Sequence, residues 1–142
     1  MIYPNTKSQP TIETKEPPGA AANRISLAFL KLLEGQFPIE NVRTTLKLRS
    51  ASDFAQQLNV HVNHLNRAVK AVQHNPTSVV INTRILSESQ RLLQYSDWNV
   101  SEIAYALGFT EVTHFNNFFK RKTNMSPTQF RKSSMKTASS SL

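Results

Sequence analysis

The chain has 142 residues, room for one domain or two small subdomains. With no Cys, and Gly only at 19, 35 and 108, it has no disulfide framework, thiolate metal site, Cys nucleophile or glycine-rich phosphate loop. The formal charge of +8 is unevenly placed: residues 1–40 balance four Lys/Arg against four Glu, whereas residues 41–142 hold 13 Lys/Arg against 5 Asp/Glu. Such a localised positive field attracts phosphate backbones. No apolar run is long enough to span a membrane, and the N-terminus lacks the apolar core of a secretory signal, so a cytoplasmic protein is expected.

Residues 1–22, rich in Pro, Thr, Lys and Ala and closing on Pro17-Pro18-Gly19, read as a flexible tail or interdomain linker. Residues 23–49 comprise a first helix and a basic connector. Ile25, Phe29, Leu32, Leu33 and Phe37 predict a helix over Arg24–Phe37, ended by Pro38; Leu27 and Leu30 widen its apolar face, so something must cover it. The connector carries Arg43, Lys47 and Arg49 and is expected to be solvated, although Val42, Leu46 and Leu48 could touch a core.

From Ser50 onward, helix starts are marked repeatedly. Ser50 to Asp53 and Asn99 to Glu102 have the capping-box form, Thr110 is expected to cap a helix running through Lys122, and Ser126-Pro127-Thr128-Gln129 places Ser at the cap, Pro next and Gln three on. A longer helix is predicted over Thr77–Tyr95. No segment alternates like a strand. The fold class read from the residues is all-α: a helix-turn-helix subdomain over 50–76, a linker helix in 77–97, a second helix-turn-helix with a C-terminal helix over 98–133, and a disordered tail over 134–142.

The two subdomains are an internal repeat. Ala55 and Ala104, and Leu58 and Leu107, stand 49 positions apart; Leu65 and Phe115, and Lys70 and Lys120, stand 50 apart. Each copy is a short helix with a small Ala, a tight turn and a second amphipathic helix. The turn needs a residue that tolerates left-handed φ, supplied by Asn59 and Gly108. The second helix of each copy is rich in amides. One presents Asn63, His64, Asn66, Arg67 and Lys70 around Leu65 and Val69; the other presents Thr113, His114, Asn116 and Asn117 around Phe115, Phe118 and Phe119. Asn pairs bidentately with adenine and Arg with guanine in the major groove, while nearby cations hold phosphates. Asn is a poor helix former, which weakens the plainer reading of a solvated face.

The run Gly108-Phe109, His114 to Arg121, Ser126-Pro127 and Phe130-Arg131 closely resembles the second-repeat signature of the AraC/XylS family of bacterial transcription regulators, and Phe54 to Lys70 resembles its first repeat. The resemblance spans about Ser50 to Lys132. It implies a seven-helix DNA-binding domain whose long middle helix fixes two recognition helices in successive major grooves, one duplex turn apart, on an asymmetric site. Base contacts would then fall on Asn63, Asn66 and Arg67 in the first unit and on Val112, Thr113, Asn116 and Asn117 in the second. Backbone contacts would fall on Ser50, His64, Lys70, His114, Lys120 and Arg121. Here His61 stands where the family usually has a Ser cap, and His74 and Asn124 stand where Gly commonly ends the recognition helix. The expected partners are double-stranded DNA and RNA polymerase, with no cofactor. The module is expected to be monomeric, with any dimerisation supplied by a sensor domain that the family commonly places upstream. A stand-alone regulator and the C-terminal piece of a longer one are both open, and the composition of the tail favours the second.

Rival signals are weaker. His61 and His64 lack a carboxylate or Cys at ligand spacing, so no metal is expected. No Ser sits in a nucleophile elbow, and an enzyme is not expected. Trp98 reads as a packing residue. The competing function is a helical interaction module that docks on RNA polymerase or another regulator without reading DNA; it lacks the salt dependence that phosphate contacts impose.

Overall fold

Residues 19–140 are described by the computed structural model, with side chains through residue 135; seven helices and no strand form among them. They are α1 (Ala20–Glu34), α2 (Ala51–Leu58), α3 (Val62–Gln73), α4 (Thr77–Tyr95), α5 (Val100–Ala106), α6 (Val112–Thr123) and α7 (Pro127–Ser140). The linker helix has the limits expected of it. Both capping boxes close, with Asp53 N donating to Ser50 Oγ at 3.1 Å and Glu102 N to Asn99 Oδ1 at 2.8 Å. Ser126 and Gln129 close a third.

The first helix departs from expectation at both ends. It begins at Ala20, after Gly19 at φ 87°, so residues 20–22 of the expected tail are helical, while residues 1–18 lie outside the described residues. It ends at Glu34, where Gly35 caps it, rather than at Phe37. Glycine is costly in a helix interior, second only to proline, so the chain leaves the helix one turn before Pro38. The freed Phe37 ring lies 4.2 Å under the Arg84 guanidinium. Leu27 remains 55% exposed, so the apolar face of α1 is covered only in part. At the other end of the chain, the segment expected to be a disordered tail is helical as far as Ser140.

Thr110 is not a cap. The N-cap of α6 is Glu111, which makes no side-chain capping bond. The repeat explains this: His61, the N-cap of α3, and Glu111 are 50 apart, whereas the preceding turns are 49 apart. Thr110 is the one inserted residue.

α1, α2 and α3 pack together as the first unit, and α5, α6 and α7 as the second; α4 touches α3 on one side and α5 and α7 on the other. A continuous core runs through both, from Phe29, Phe54 and Leu65 along Ile81, Ile85 and Leu92 of α4 to Ile103, Phe115 and Phe119. Trp98 packs against it, half-buried. Arg131 of α7 donates from Nε to Leu93 O at 2.9 Å, and from Nη2 to Leu92 O and Ser96 O. It thereby binds carbonyls at the end of α4, among them Leu92 O, which also accepts from Ser96 N and Oγ, and fastens the second unit to it.

The connector is docked, not solvated. Ile39 and Leu46 are buried. Ile39 N donates to Glu88 Oε2 at 2.7 Å, and Glu88, only 1% exposed on α4, is also held by Arg91 Nη2 at 2.7 Å and Nε at 3.0 Å. Arg91 Nη2 reaches Ile39 O as well, so two residues of α4 grip the N–H and the C=O of one connector residue. Glu88 raises the Arg91 pKa by this hydrogen bond, against the smaller effect of burial. Further on, Leu46 N donates to Ala106 O at 2.8 Å, and Gln36 and Leu48 exchange two bonds of 2.9 Å.

Candidate nucleic-acid interface

Each unit builds its second helix in the same way. In the turn, Val60 N donates to Ala55 O at 3.0 Å, and Phe109 N to Ala104 O at 3.0 Å. Asn59 and Gly108 carry the expected positive φ, 59° and 88°. The small Ala55 and Ala104 are buried where the helices meet. Leu65 and Phe115 are both fully buried and anchor α3 and α6 by equivalent positions. Aromatic edges add specificity in the second unit: Phe109 lies 5.3 Å from Phe115 and Phe119 lies 5.3 Å from Phe130.

The departures from the family pattern are resolved locally. His61 does act as a cap: its Nδ1 accepts from Asn63 N at 3.1 Å, doing with an imidazole what a Ser oxygen usually does. That bond also occupies one ring nitrogen of the only His pair at short spacing, and no group of metal-binding type forms among the described residues. His74 and Asn124 end α3 and α6 at φ 65° and 64°, each donating its N–H back to Lys70 O and Lys120 O.

With the anchors buried, the opposite faces are set. Asn63, His64, Asn66, Arg67 and Lys70 are exposed on α3. On α6, Thr113, His114, Asn117, Lys120 and Arg121 are exposed, while Val112 and Asn116 are half-buried. The first unit brings Asn66, Arg67 and Lys70 together with Ala51, Thr77 and Ser78 around a groove of about 670 Å³. Its walls thus include the first residues of α2 and α4, whose unpaired N–H groups and positive dipole ends favour an anion. Thr77, also in that wall, is 98% buried and its Oγ1 has no hydrogen-bond partner. Ser50 is exposed beside this groove with its oxygen accepting from Asp53 N, which leaves its hydroxyl proton available. Asp53 in turn accepts from Arg49 N and Ser50 N, and these bonds, the first above all, hold its carboxyl below the usual range against a smaller opposing effect of burial.

Not every cation faces outward. Arg49 lies with its guanidinium 4.4 Å from the centre of the Phe109 ring, and Arg84, Arg91 and Arg131 are tied to Glu34, Glu88 and the end of α4. The number of cations therefore overstates what a phosphate would meet, and the exposed cations of α3 and α6 lie on the outward faces of those helices. Glu88 and Arg131 were missed as organising residues in the sequence reading. For Glu88 a signal existed: Ile81, Ile85, Glu88 and Leu92 share one helical stripe, so a carboxylate falls among apolar positions. For Arg131 there was none, because its acceptors are backbone carbonyls of a distant helix end.

A family model described as a helix-turn-helix domain matches residues 54–133. Among curated relatives, the HTH-type transcriptional activators RhaS of Salmonella arizonae and Salmonella newport are 34% identical over 77 residues, covering 54% of this chain and 28% of their own length. The chain thus spans less than a third of these relatives. Among solved structures, an AraC-type DNA-binding regulator from Chromobacterium violaceum aligns with TM-score 0.62 at 22% identity, over 80% of this chain and 94% of that one. The C-terminal domain of the response regulator yesN from Fusobacterium nucleatum aligns with TM-score 0.62 at 20% identity, over 77% and 98%. The DNA-binding domain of AdpA, solved in complex with a target DNA, aligns with TM-score 0.58 at 19% identity, over 83% and 93%.

Proposed function

Since this chain belongs to the AraC/XylS family of bacterial DNA-binding transcription regulators, we propose that α3 and α6 enter successive major grooves on one face of a duplex and read an asymmetric site. The observation that carries this reading is the pair of equivalent helices, each anchored by a buried residue, Leu65 or Phe115, with amides and cations exposed opposite. The α4 rod between them has 19 residues and so is about 28 Å long at 1.5 Å per residue, close to the ~34 Å between major grooves on one face.

In this reading Asn63, Asn66 and Arg67 contact bases in one groove, and Thr113, Asn116 and Asn117 contact them in the other, with Val112 supplying apolar contact. Val112 and Asn116 are half-buried, so each offers only part of its side chain to a base. Ser50, His64, Lys70, His114, Lys120 and Arg121 hold phosphates. Two helices on one chain read two half-sites, so the module acts as a monomer. RNA polymerase is its protein partner, in keeping with relatives named as activators. It works in the cytoplasm, where bacterial DNA lies; no helix among the described residues is long and apolar enough to cross a membrane. Its role is binding and not catalysis.

Binding measured against salt tests this. Arg67→Ala should weaken the preferred site by roughly 1–3 kcal/mol and relax selectivity at one base pair. Lys120→Ala should weaken all sequences alike and reduce the salt slope by about one. Binding that ignores salt, or a base-selective loss in the Lys120 variant, would contradict the assignment.

A further inference from the structure

We propose that Arg49 fixes the relative twist of the two recognition helices, as a positioning residue that ties the start of the first helix-turn-helix directly to the turn of the second. The proposal rests on the two-groove reading above. Arg49 immediately precedes Ser50, the cap of α2, and its N–H joins the capping carboxylate of Asp53. Its side chain leaves the first unit altogether. Nη1 donates to Gly108 O at 3.4 Å, and the guanidinium stacks 4.4 Å over Phe109, which itself touches Phe115 and Phe118 of α6. Three residues earlier, Leu46 N is bonded to Ala106 O at the end of α5. The strap therefore leaves α1, is gripped by Glu88 and Arg91 on α4, touches the second unit twice, and returns to begin α2.

This second attachment does what α4 cannot do alone. A single rod fixes distance, but it leaves relative twist about its axis to the packing of each unit on it. Twist matters to a two-groove reader, because one inserted base pair moves the second half-site by about 3.4 Å and 34°. A link displaced from the rod closes a triangle and removes that freedom. Arg49 also makes a poor filler: its Nε is buried with no partner, and burial lowers its pKa against the opposing charge of Asp53. An apolar residue would fill the same space without that desolvation, but could not make a directed bond to the Gly108 carbonyl while stacking on the ring. Glycine at 108 is what admits it, since a Cβ there would collide with the Arg49 stem.

The test combines two readouts in the full chain. The protein has no Cys, so spin labels can be attached through Gln57→Cys in α2 and Thr128→Cys in α7, both exposed and outside the proposed contacts. R49A should broaden the distance distribution between the labels without DNA, while helix content stays unchanged. On a bipartite duplex selected from random sequence, R49A should bind roughly tenfold more weakly, a small share of the gain that rigid linkage of two sites provides. It should also lose less affinity than the parent when one base pair is inserted between the half-sites. If R49A melts without cooperativity, R49M keeps the stem and lacks the guanidinium, and the same results are expected. An unchanged distance distribution with an unchanged insertion penalty overturns the role of Arg49. A parent chain that selects no bipartite duplex overturns the two-groove reading instead, and the label distances still decide the strap.

Discussion

Asn59 and Gly108 occupy the same point of the repeat, yet they carry different burdens. Both have positive φ, which Asn tolerates and Gly adopts freely. Only Gly108 also has a neighbour, the Arg49 stem, in the space a side chain would take. Asn59→Gly should therefore change stability by no more than a few tenths of a kcal/mol, whereas Gly108→Asn should cost about 1–3 kcal/mol through overpacking. Thermal melts of the two variants check this, and equal costs would remove the steric argument. Asp53 offers a test by pH. Its folded carboxyl titrates below the usual range, so its contribution is present above the unfolded value and is lost as pH falls through the lowered one. Asp53→Asn should accordingly lower the melting temperature at pH 7 and converge with the parent in acid. At this scale the sequence was largely legible, because caps and left-handed turns are local chemistry. Thr110 was misread because a single inserted residue cannot be placed until the neighbouring cap, Glu111, is known.

The helices themselves were legible wherever an apolar stripe was long, as in α4, and less so where two stops competed, as with Gly35 and Pro38 at the end of α1. Of the connector, only the apolar contacts of Leu46 and Leu48 were legible. Its bonds run from backbone groups to distant partners: Ile39 N to Glu88, Leu46 N to Ala106 O. No periodicity records a backbone donor's partner, and a segment rich in Lys and Arg reads as solvated. Glu88 is the testable centre of this arrangement. Glu88→Ala leaves the Ile39 N–H buried without an acceptor, and should cost about 2–3 kcal/mol; Arg91 is partly exposed and can turn to water. Glu88→Gln keeps an acceptor for Ile39 and should cost less. Urea unfolding ranks the two, and an Ala variant within about 0.5 kcal/mol of the parent would mean that α4 does not hold the connector.

At the scale of the molecule, the repeat made the candidate site readable. Two copies of one pattern state which residues are anchors and which faces are left over, and Leu65 and Phe115 lie buried as that logic requires. The distribution of charge was a coarser guide. Several of the cations that make the chain basic bind within it, as Arg49, Arg84, Arg91 and Arg131 do, and only the three-dimensional arrangement separates them from those exposed on α3 and α6. The central claim is that one chain reads two grooves. Repeated selection of random duplexes by the purified protein, followed by sequencing of what is retained, tests it most directly. The account predicts two different preferred blocks whose centres lie about 10 base pairs apart; a single block, or no enrichment at all, would contradict it.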